Sequence, residues 1–273
     1  RSGTTWSQQQ KLVASTRTDY DQFGEAVAIN GDTIVVGAKF YNNNISQKGA
    51  AYVFTRSGTT WSQQQLIQSS DIQASDQFGS NVDIAGNTIV VGALFEDAGG
   101  SNAGAAYVFT RSGTTWTQQQ KLVASDAAAN DRFGSSSGIY GDTIVVGAVN
   151  ENSQAGSAYV FTRSNTTWSQ QQKIVGDASG YYDWFGIDVD IEEDTIVVGA
   201  YGDDSGTTQN GEGAAYIFTR SGTTWTQDKK IVSSTRSTNA YFGYNVAIQD
   251  NTVIVGAYGE SGSTGAAYTF IAG

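Results

Sequence analysis

Apolar and polar positions alternate along this chain. From Phe23 to Ile29, Phe23, Val27 and Ile29 fall on one side of an extended backbone and the small Ala26 and Ala28 on the other, a period of two that predicts a β-strand. Asn30-Gly31 follows, the dipeptide that best suits a tight hairpin turn. Thr33 to Val36 is a β-branched run that reads as a strand buried on both faces. A third strand-like segment, Gly49 to Thr55, and a fourth, Thr60 to Ile67, flank the turn at Ser57-Gly58. No segment carries a capped 3.6-residue period, so the pattern predicts an all-β chain.

The pattern repeats. Phe-Gly stands at 23/24, 78/79, 133/134, 185/186 and 242/243, and a Gly-Ala pair follows at 37/38, 92/93, 147/148, 199/200 and 256/257, thirteen residues from Gly to Gly in every copy. A second marker, Arg-Ser-Gly/Asn-Thr-Thr-Trp, begins near residues 1, 56, 111, 163 and 220. Five units therefore fill residues 1–273 as one domain, and four antiparallel strands per unit without helices is the content of a propeller blade. The phase of the ends predicts closure. Arg1 to Val13 supplies a fourth strand without a preceding three, and Tyr268 to Ile271 a third strand without a fourth. The expected fold is a five-bladed β-propeller of four-stranded antiparallel blades, its ring closed by the N-terminal strand joining the C-terminal blade.

The recurring Phe-Gly and Gly-Ala pairs resemble the FG-GAP repeat of integrin alpha-chain propellers and of many bacterial surface and secreted proteins. The resemblance covers all five units and implies a binding or adhesion scaffold outside the cell or on its surface. Two departures from the family pattern stand out. The Pro that often follows Gly-Ala is replaced by Lys39, Leu94, Val149, Tyr201 and Tyr258. The family's calcium loop between the first two strands is also missing, because connections such as Asn30-Gly31-Asp32 or Ala85-Gly86-Asn87 are too short to wrap six to eight oxygens around an ion. Neither a metal nor another cofactor is expected.

Composition narrows the chemistry. There is no His and no Cys, which removes the usual general base, the thiolate nucleophile and the commonest zinc ligands. Proline is absent as well. The formal charge of −11 repels phosphate backbones, so nucleic acid is not an expected partner. Apolar runs are only a few residues long, which excludes insertion of a membrane-spanning helix. The chain opens at Arg1 inside a repeat and reads as a mature segment whose targeting signal has been lost.

With one face of the propeller built from short uniform turns, binding is expected on the other. There the connections after the second and fourth strands differ from unit to unit in length and chemistry. Candidate ligand-binding residues are the aromatics Tyr20, Phe40, Tyr41, Phe95, Tyr181, Tyr182, Trp184 and Tyr241. Flat rings beside amide and carboxylate acceptors suit sugar rings, and they also suit a protein partner. The competing expectation is that such rings pack under their own loops. Asp21, Asp76, Asp131 and Asp183 each stand two residues before a Phe and are candidates for polar contacts, with capping of the local turn as the alternative.

Four further features complete the reading. Asp188 and Asp190 share one side of an inner strand and form either an acid-base pair or a packing feature. The Trp of each unit covers the outer rim of a blade, and the Gln runs after it are solvated strand segments or amide ladders between molecules. The sequons at Asn44 and Asn165 permit glycosylation. Three functions follow as expectations. The first is a non-catalytic extracellular or cell-surface module that binds glycan or protein, the second a self-associating structural component of a surface layer, filament or matrix, and the third, least favoured, a glycosidase.

Overall fold

The computed structural model describes residues 4–42, 48–177, 180–204 and 210–271. Asn44 of the first sequon lies outside them. Blade one comprises β1 (Val27–Asn30), β2 (Thr33–Ala38), β3 (Ala50–Ser57) and β4 (Thr60–Ile67), and blade two β5 (Phe78–Ala85), β6 (Thr88–Ala93), β7 (Ala105–Ser112) and β8 (Thr115–Leu122). Blade three contains β9 (Phe133–Tyr140), β10 (Thr143–Ala148), the four-residue α1 (Glu151–Gln154), β11 (Ser157–Ser164) and β12 (Thr167–Ile174). Blade four follows with β13 (Val189–Glu192), β14 (Thr195–Ala200), β15 (Ala214–Ser221) and β16 (Thr224–Ile231). Blade five holds β17 (Phe242–Gln249), β18 (Thr252–Ala257), α2 (Glu260–Ser263) and β19 (Ala266–Ile271). Within each blade the strands pair antiparallel in chain order, so the expected five-bladed, all-β propeller is what the chain forms. α1 and α2 are single turns with left-handed residues inside them, at Asn152 and Ser153 and at Ser261 and Gly262.

The cores lie between blades. Val53 and Ile67 of blade one pack with Ile84, Ile89, Phe109 and Trp116 of blade two, and equivalent clusters join blades two to three and three to four. The Phe of each Phe-Gly pair is the inner anchor. Phe78 lies 5.5 Å from Tyr107 and 6.0 Å from Phe109, and the arrangement recurs at Phe133, Phe185 and Phe242.

At the outer rim the Gln runs perform a task that neither sequence reading anticipated. In blade one Val53 pairs with Gln65 and Phe54 with Gln63, which leaves Gln64 as the extra residue of a β-bulge; Gln119 and Gln171 are extra in the same way. The bulged Gln64 accepts the Trp116 Nε1–H at 3.0 Å. Beside it Gln65 accepts the Trp116 backbone N–H at 2.8 Å and donates to the Trp116 carbonyl at 2.8 Å. Gln119 and Gln120 hold Trp168 in the same way, and Gln171 and Gln172 hold Trp225. Arg111, Arg163 and Arg220 cover the same indoles from the other side at 5.1–5.2 Å. The Trp residues of β4, β8, β12 and β16 are buried rim elements, as expected, and the glutamines are interblade clasps.

Ring closure is not what the structure shows. The fifth sheet has three strands, β17-β18-β19, and residues 6–14 form no strand with β19. Instead Gln9 and Gln10 clasp Trp61 of blade one, in the manner of Gln64 and Gln65 on Trp116. Blades one and five do not cover each other: Val27 and Ile29 on one side and Ile254 on the other stay exposed. The segment is held by the blade it precedes, and the seam remains open.

Substituting Gln120→Ala leaves the Trp168 N–H and C=O without their partners at a buried rim position. The expected loss is about 1–3 kcal/mol of unfolding free energy, read from urea denaturation with tryptophan fluorescence.

Candidate binding face

The tight turns of each blade share one face, where Arg side chains tie them together: Arg56 reaches Asp32 at 2.8 Å, Arg163 reaches Asp142 at 2.7 Å and Arg220 reaches Asp194 at 2.6 Å. The variable connections meet on the opposite face. Their backbones are knit together there, for example by Asn130 N–H to the Ser101 carbonyl at 2.9 Å and Tyr241 N–H to the Gly211 carbonyl at 2.9 Å.

Asp21, Asp76, Asp131 and Asp183 prove to be buried parts of this framework. Each carboxylate accepts a backbone N–H three residues earlier, from Thr18 at 2.6 Å, Gln73 at 2.6 Å, Ala128 at 2.7 Å and Gly180. Each backbone carbonyl accepts from the next variable loop, as in Phe40, Phe95, Asn150 and Gly202. Burial raises the pKa of Asp76 and Asp131 and pushes that of Asp183 up to about 6. They cap turns.

A second element pins the loops and was not anticipated from the sequence. Lys121 of β8 joins Glu96 of the variable loop at 2.6 Å and Asp71 at 3.0 Å, above the Tyr107 ring. Lys173 does the same with Glu151 and Asp126, and Lys230 with Asp203. Desolvation alone would lower the pKa of Lys121, but its two carboxylate partners outweigh it and raise the value. Blade one replaces the ion pair with apolar contact, since Tyr41 and Leu66 occupy the places of Glu96 and Lys121 and Tyr41 meets Tyr52 edge-on at 6.0 Å. The expectation that Tyr41 is an exposed binding ring is therefore corrected: it is a buried core residue.

Three of the other predicted rings converge. Tyr182, Trp184 and Tyr241 line one groove of about 400 Å³ between blades four and five, together with Tyr201, Tyr258, Asn239, Gly202 and Gly211. Trp184 stacks on Tyr201 at 4.7 Å and 5°, and Tyr241 on Tyr258 at 5.0 Å and 16°. Tyr201 meets Tyr241 edge-on at 5.8 Å, and Tyr244 bridges Tyr201 and Tyr258 at 5.3 and 4.8 Å. Two glycines make room for the array: a methyl group at Gly202 would strike the Trp184 ring, and one at Gly259 the Tyr241 ring. Burial and the neighbouring phenols push Tyr201 up to about 12. Among the described residues no charged side chain lines the groove.

The remaining predicted rings stand apart. Tyr20 and Tyr181 are exposed, Phe40 lies under Lys39 and Phe95 under Arg132. Tyr201 and Tyr258 belong to the groove and were missed as site residues. Their signal is the sequence Gly-Ala-Tyr-Gly, which occurs only in units four and five.

The inner carboxylates are not arranged as an acid-base pair. Asp188 accepts from Val246 N–H at 2.9 Å and Val189 N–H at 3.1 Å, and Asp190 from Ile248 and Ile191 N–H, both at 2.8 Å. Asp83 joins blade two to blade three in the same way, through Ile139 and Ile84 at 2.8 Å. Both oxygens of each carboxylate are thus used by backbone amides, which stitch adjacent inner strands together.

A family model described as FG-GAP repeat matches residues 6–54, 61–109, 116–161, 168–218 and 225–270. The first matched segment opens at Trp6 and ends in the third strand of blade one, and each of the other four opens at a rim Trp and ends in the third strand of the next blade, so those four straddle a blade interface. No curated protein matches the chain.

The inner carboxylates generate a pH test. Burial pushes Asp83 up from the ordinary 3.8 to about 7, with Asp190 nearby contributing in the same direction. The folded chain therefore binds this proton more tightly than the unfolded chain, and the group's stabilising contribution, complete below about pH 4, is lost as pH rises toward 7. Asp83→Asn removes that dependence. Between pH 5 and 8 the difference in unfolding free energy is expected to move in favour of the variant by on the order of 2 kcal/mol, read from denaturant titrations across the range.

Proposed function

The chain belongs to the FG-GAP repeat family, and on that premise we propose that residues 1–273 act as one non-catalytic propeller domain that binds a neutral glycan through the groove between blades four and five, outside the cell or on its surface. A binding or structural role is what the family fold supports, and repeats of this type are commonly extracellular. The observation that carries the glycan reading is the paired stacking of Trp184 on Tyr201 and Tyr241 on Tyr258. It holds a wall of rings rigid while Tyr182 and Tyr258 remain open to solvent. Stacked, preordered rings offer flat apolar faces at little entropic cost, and their hydroxyls with Asn239 supply hydrogen bonds to sugar hydroxyls. An uncharged lining in a chain of net charge −11 favours a neutral ligand over an anionic one.

Nothing in this reading calls for catalysis, since the described residues that line the groove include no carboxylate and the inner aspartates are engaged by backbone amides. No helix among the described residues is long and apolar enough to cross a membrane.

The test is a glycan array followed by titration of hits against intrinsic fluorescence. Tyr258→Ala and Tyr182→Ala are each expected to raise Kd about tenfold or more, as for rings central to an interface, whereas Tyr20→Ala leaves it unchanged. Equal affinity in the groove variants would remove the groove as the site, and peptide binding in the groove with every glycan silent would replace the glycan by a protein partner.

A further inference from the structure

One notch on the tight-turn face departs from the pattern of the others. Arg56, Arg163 and Arg220 each close on a carboxylate in the turn of their own blade, at Asp32, Asp142 and Asp194. At the same place in blade two the turn supplies Asn87, whose amide oxygen accepts from Arg111 Nε–H at 2.9 Å and Nη2–H at 2.7 Å. Among the described residues no carboxylate pairs with Arg111. The guanidinium is held as its counterparts are, but its charge is not neutralised.

A second difference falls in the same notch. Asn30 of blade one reaches across to the next turn and accepts the Gly86 N–H at 3.1 Å, and Glu192 of blade four accepts the Asn251 N–H at 3.4 Å. Blade two has Ala85 at this position, whose methyl group can accept nothing. The Gly141 N–H, counterpart of the Gly86 N–H, has no acceptor among the described residues. Ala85, Asn87, Arg111 and Gly141 line one opening of about 480 Å³ between blades two and three, together with Thr110 and Arg163. Among the described residues no carboxylate lines it.

The donors around this opening are fixed before any ligand arrives. Arg111 lies over the Trp116 ring at 5.2 Å and donates to Thr33 Oγ1 at 3.2 Å, and Arg163 lies over the Trp168 ring at 5.1 Å and donates to Thr88 Oγ1 at 3.1 Å. With Asn87 Oδ1 turned to Arg111, its Nδ2–H2 group is left to donate. Two guanidiniums, an amide and a backbone N–H thus surround a space that lacks an acceptor of matching charge. The net charge of −11 opposes an anion only at long range, and at physiological ionic strength such repulsion is largely screened beyond about 8 Å.

We infer that the notch between blades two and three binds the carboxylate of an acidic saccharide, a uronate, which supplies Arg111 with the charge that Asp supplies to Arg56, Arg163 and Arg220 and accepts the Gly141 N–H. An opening of about 480 Å³ has the size of a small-ligand cleft. The Thr110 hydroxyl and the Asn87 amide offer partners for ring hydroxyls. Among the described residues no aromatic or large aliphatic side chain lines it, which disfavours a peptide, whose affinity rests on buried anchors. The notch lies on the face opposite the aromatic groove, and this inference does not depend on that groove.

Isothermal titration calorimetry of the 1–273 chain with digalacturonate reads the binding, with the uncharged dimethyl ester, sulfate and a Glu-rich peptide as comparisons. Digalacturonate is expected to bind and its ester to stay silent. Asn87→Asp gives blade two the carboxylate that blades one, three and four already carry, so the variant keeps its far-UV circular dichroism and melting temperature while affinity falls at least about tenfold. Ala85→Asn offers Gly141 the acceptor that Asn30 gives Gly86 and weakens binding with no change of charge. Tyr258→Ala leaves this binding unchanged, which separates the notch from the groove. Three outcomes overturn the inference: no uptake of digalacturonate at millimolar concentration, whether or not sulfate or the peptide binds; equal affinity for the dimethyl ester; or equal affinity in Asn87→Asp.

Discussion

The close approach of backbone to backbone between blades sets the terms for the rest of the molecule. Gly37 at the end of β2 lies against the carbonyl of Gly79 at the start of β5, so near that a methyl group at Gly37 would overlap that oxygen, and the contact recurs between each pair of consecutive blades. Glycine at both positions lets neighbouring blades converge until Phe78, with its ring wedged against Tyr107 and Phe109, and the β-branched faces of β2 and β6 close into one core. The Phe-Gly and Gly-Ala pairs are thus the two sides of a single contact. The thirteen-residue spacing is the length of the hairpin that carries one side to the other.

Because the inner contact is made of glycine and carries no side-chain information, specificity moves outward. The Gln-Trp clasp fixes the angle of each blade at the rim, with a β-bulge turning one amide toward the indole of the next blade. Between rim and axis, Lys-Glu pairs in blades two and three and a Lys-Asp pair in blade four tie the variable loops to the fourth strands. Blade one does the same work with Tyr41 and Leu66. That exchange is informative: the requirement at this spot is a filled, satisfied gap beneath the loop, and an ion pair or two apolar side chains meet it equally.

Strand number, strand order and the blade repeat were legible in the sequence because they follow from local pattern: a period of two, a tight turn, a β-branched run and a strict recurrence. What escaped was whatever depends on a neighbouring blade. The amides of Gln64 and Gln65 look like solvated residues until Trp116 arrives from the next unit, and Asp188 with Asp190 looks like a catalytic pair until the amides of Val246 and Ile248 are found on their oxygens. Closure misled for the same reason. The phase of the ends says which strands are complementary, but not that they meet. At the site, Tyr182, Trp184 and Tyr241 were visible as unusual residues in long connections. Tyr201 and Tyr258 were not, because they sit directly after a scaffold motif and read as substitutions for a missing proline.

The placement of the groove in blades four and five has its own physical signature. The residues flanking the turn-capping Asp adopt left-handed backbone in the other units too, as at Tyr20 and Gln22, Ser75 and Gln77 or Asn130 and Arg132. The same geometry is imposed on Tyr182 and Trp184, at φ 67° and 52°, and on Tyr241 at 54°. Left-handed backbone is least costly for Gly, Asn and Asp, and an aromatic residue held there forfeits about 1–2 kcal/mol. Part of this is offset by the stacking of Trp184 on Tyr201 and of Tyr241 on Tyr258, yet those partners are themselves present only where Tyr-Gly follows Gly-Ala. Rings at strained positions, matched partners and the glycines that admit them occur together in two adjacent units and in no others, although the other blades satisfy the same scaffold without them. A requirement of the fold would recur in every blade; this one is local, and it coincides with the groove.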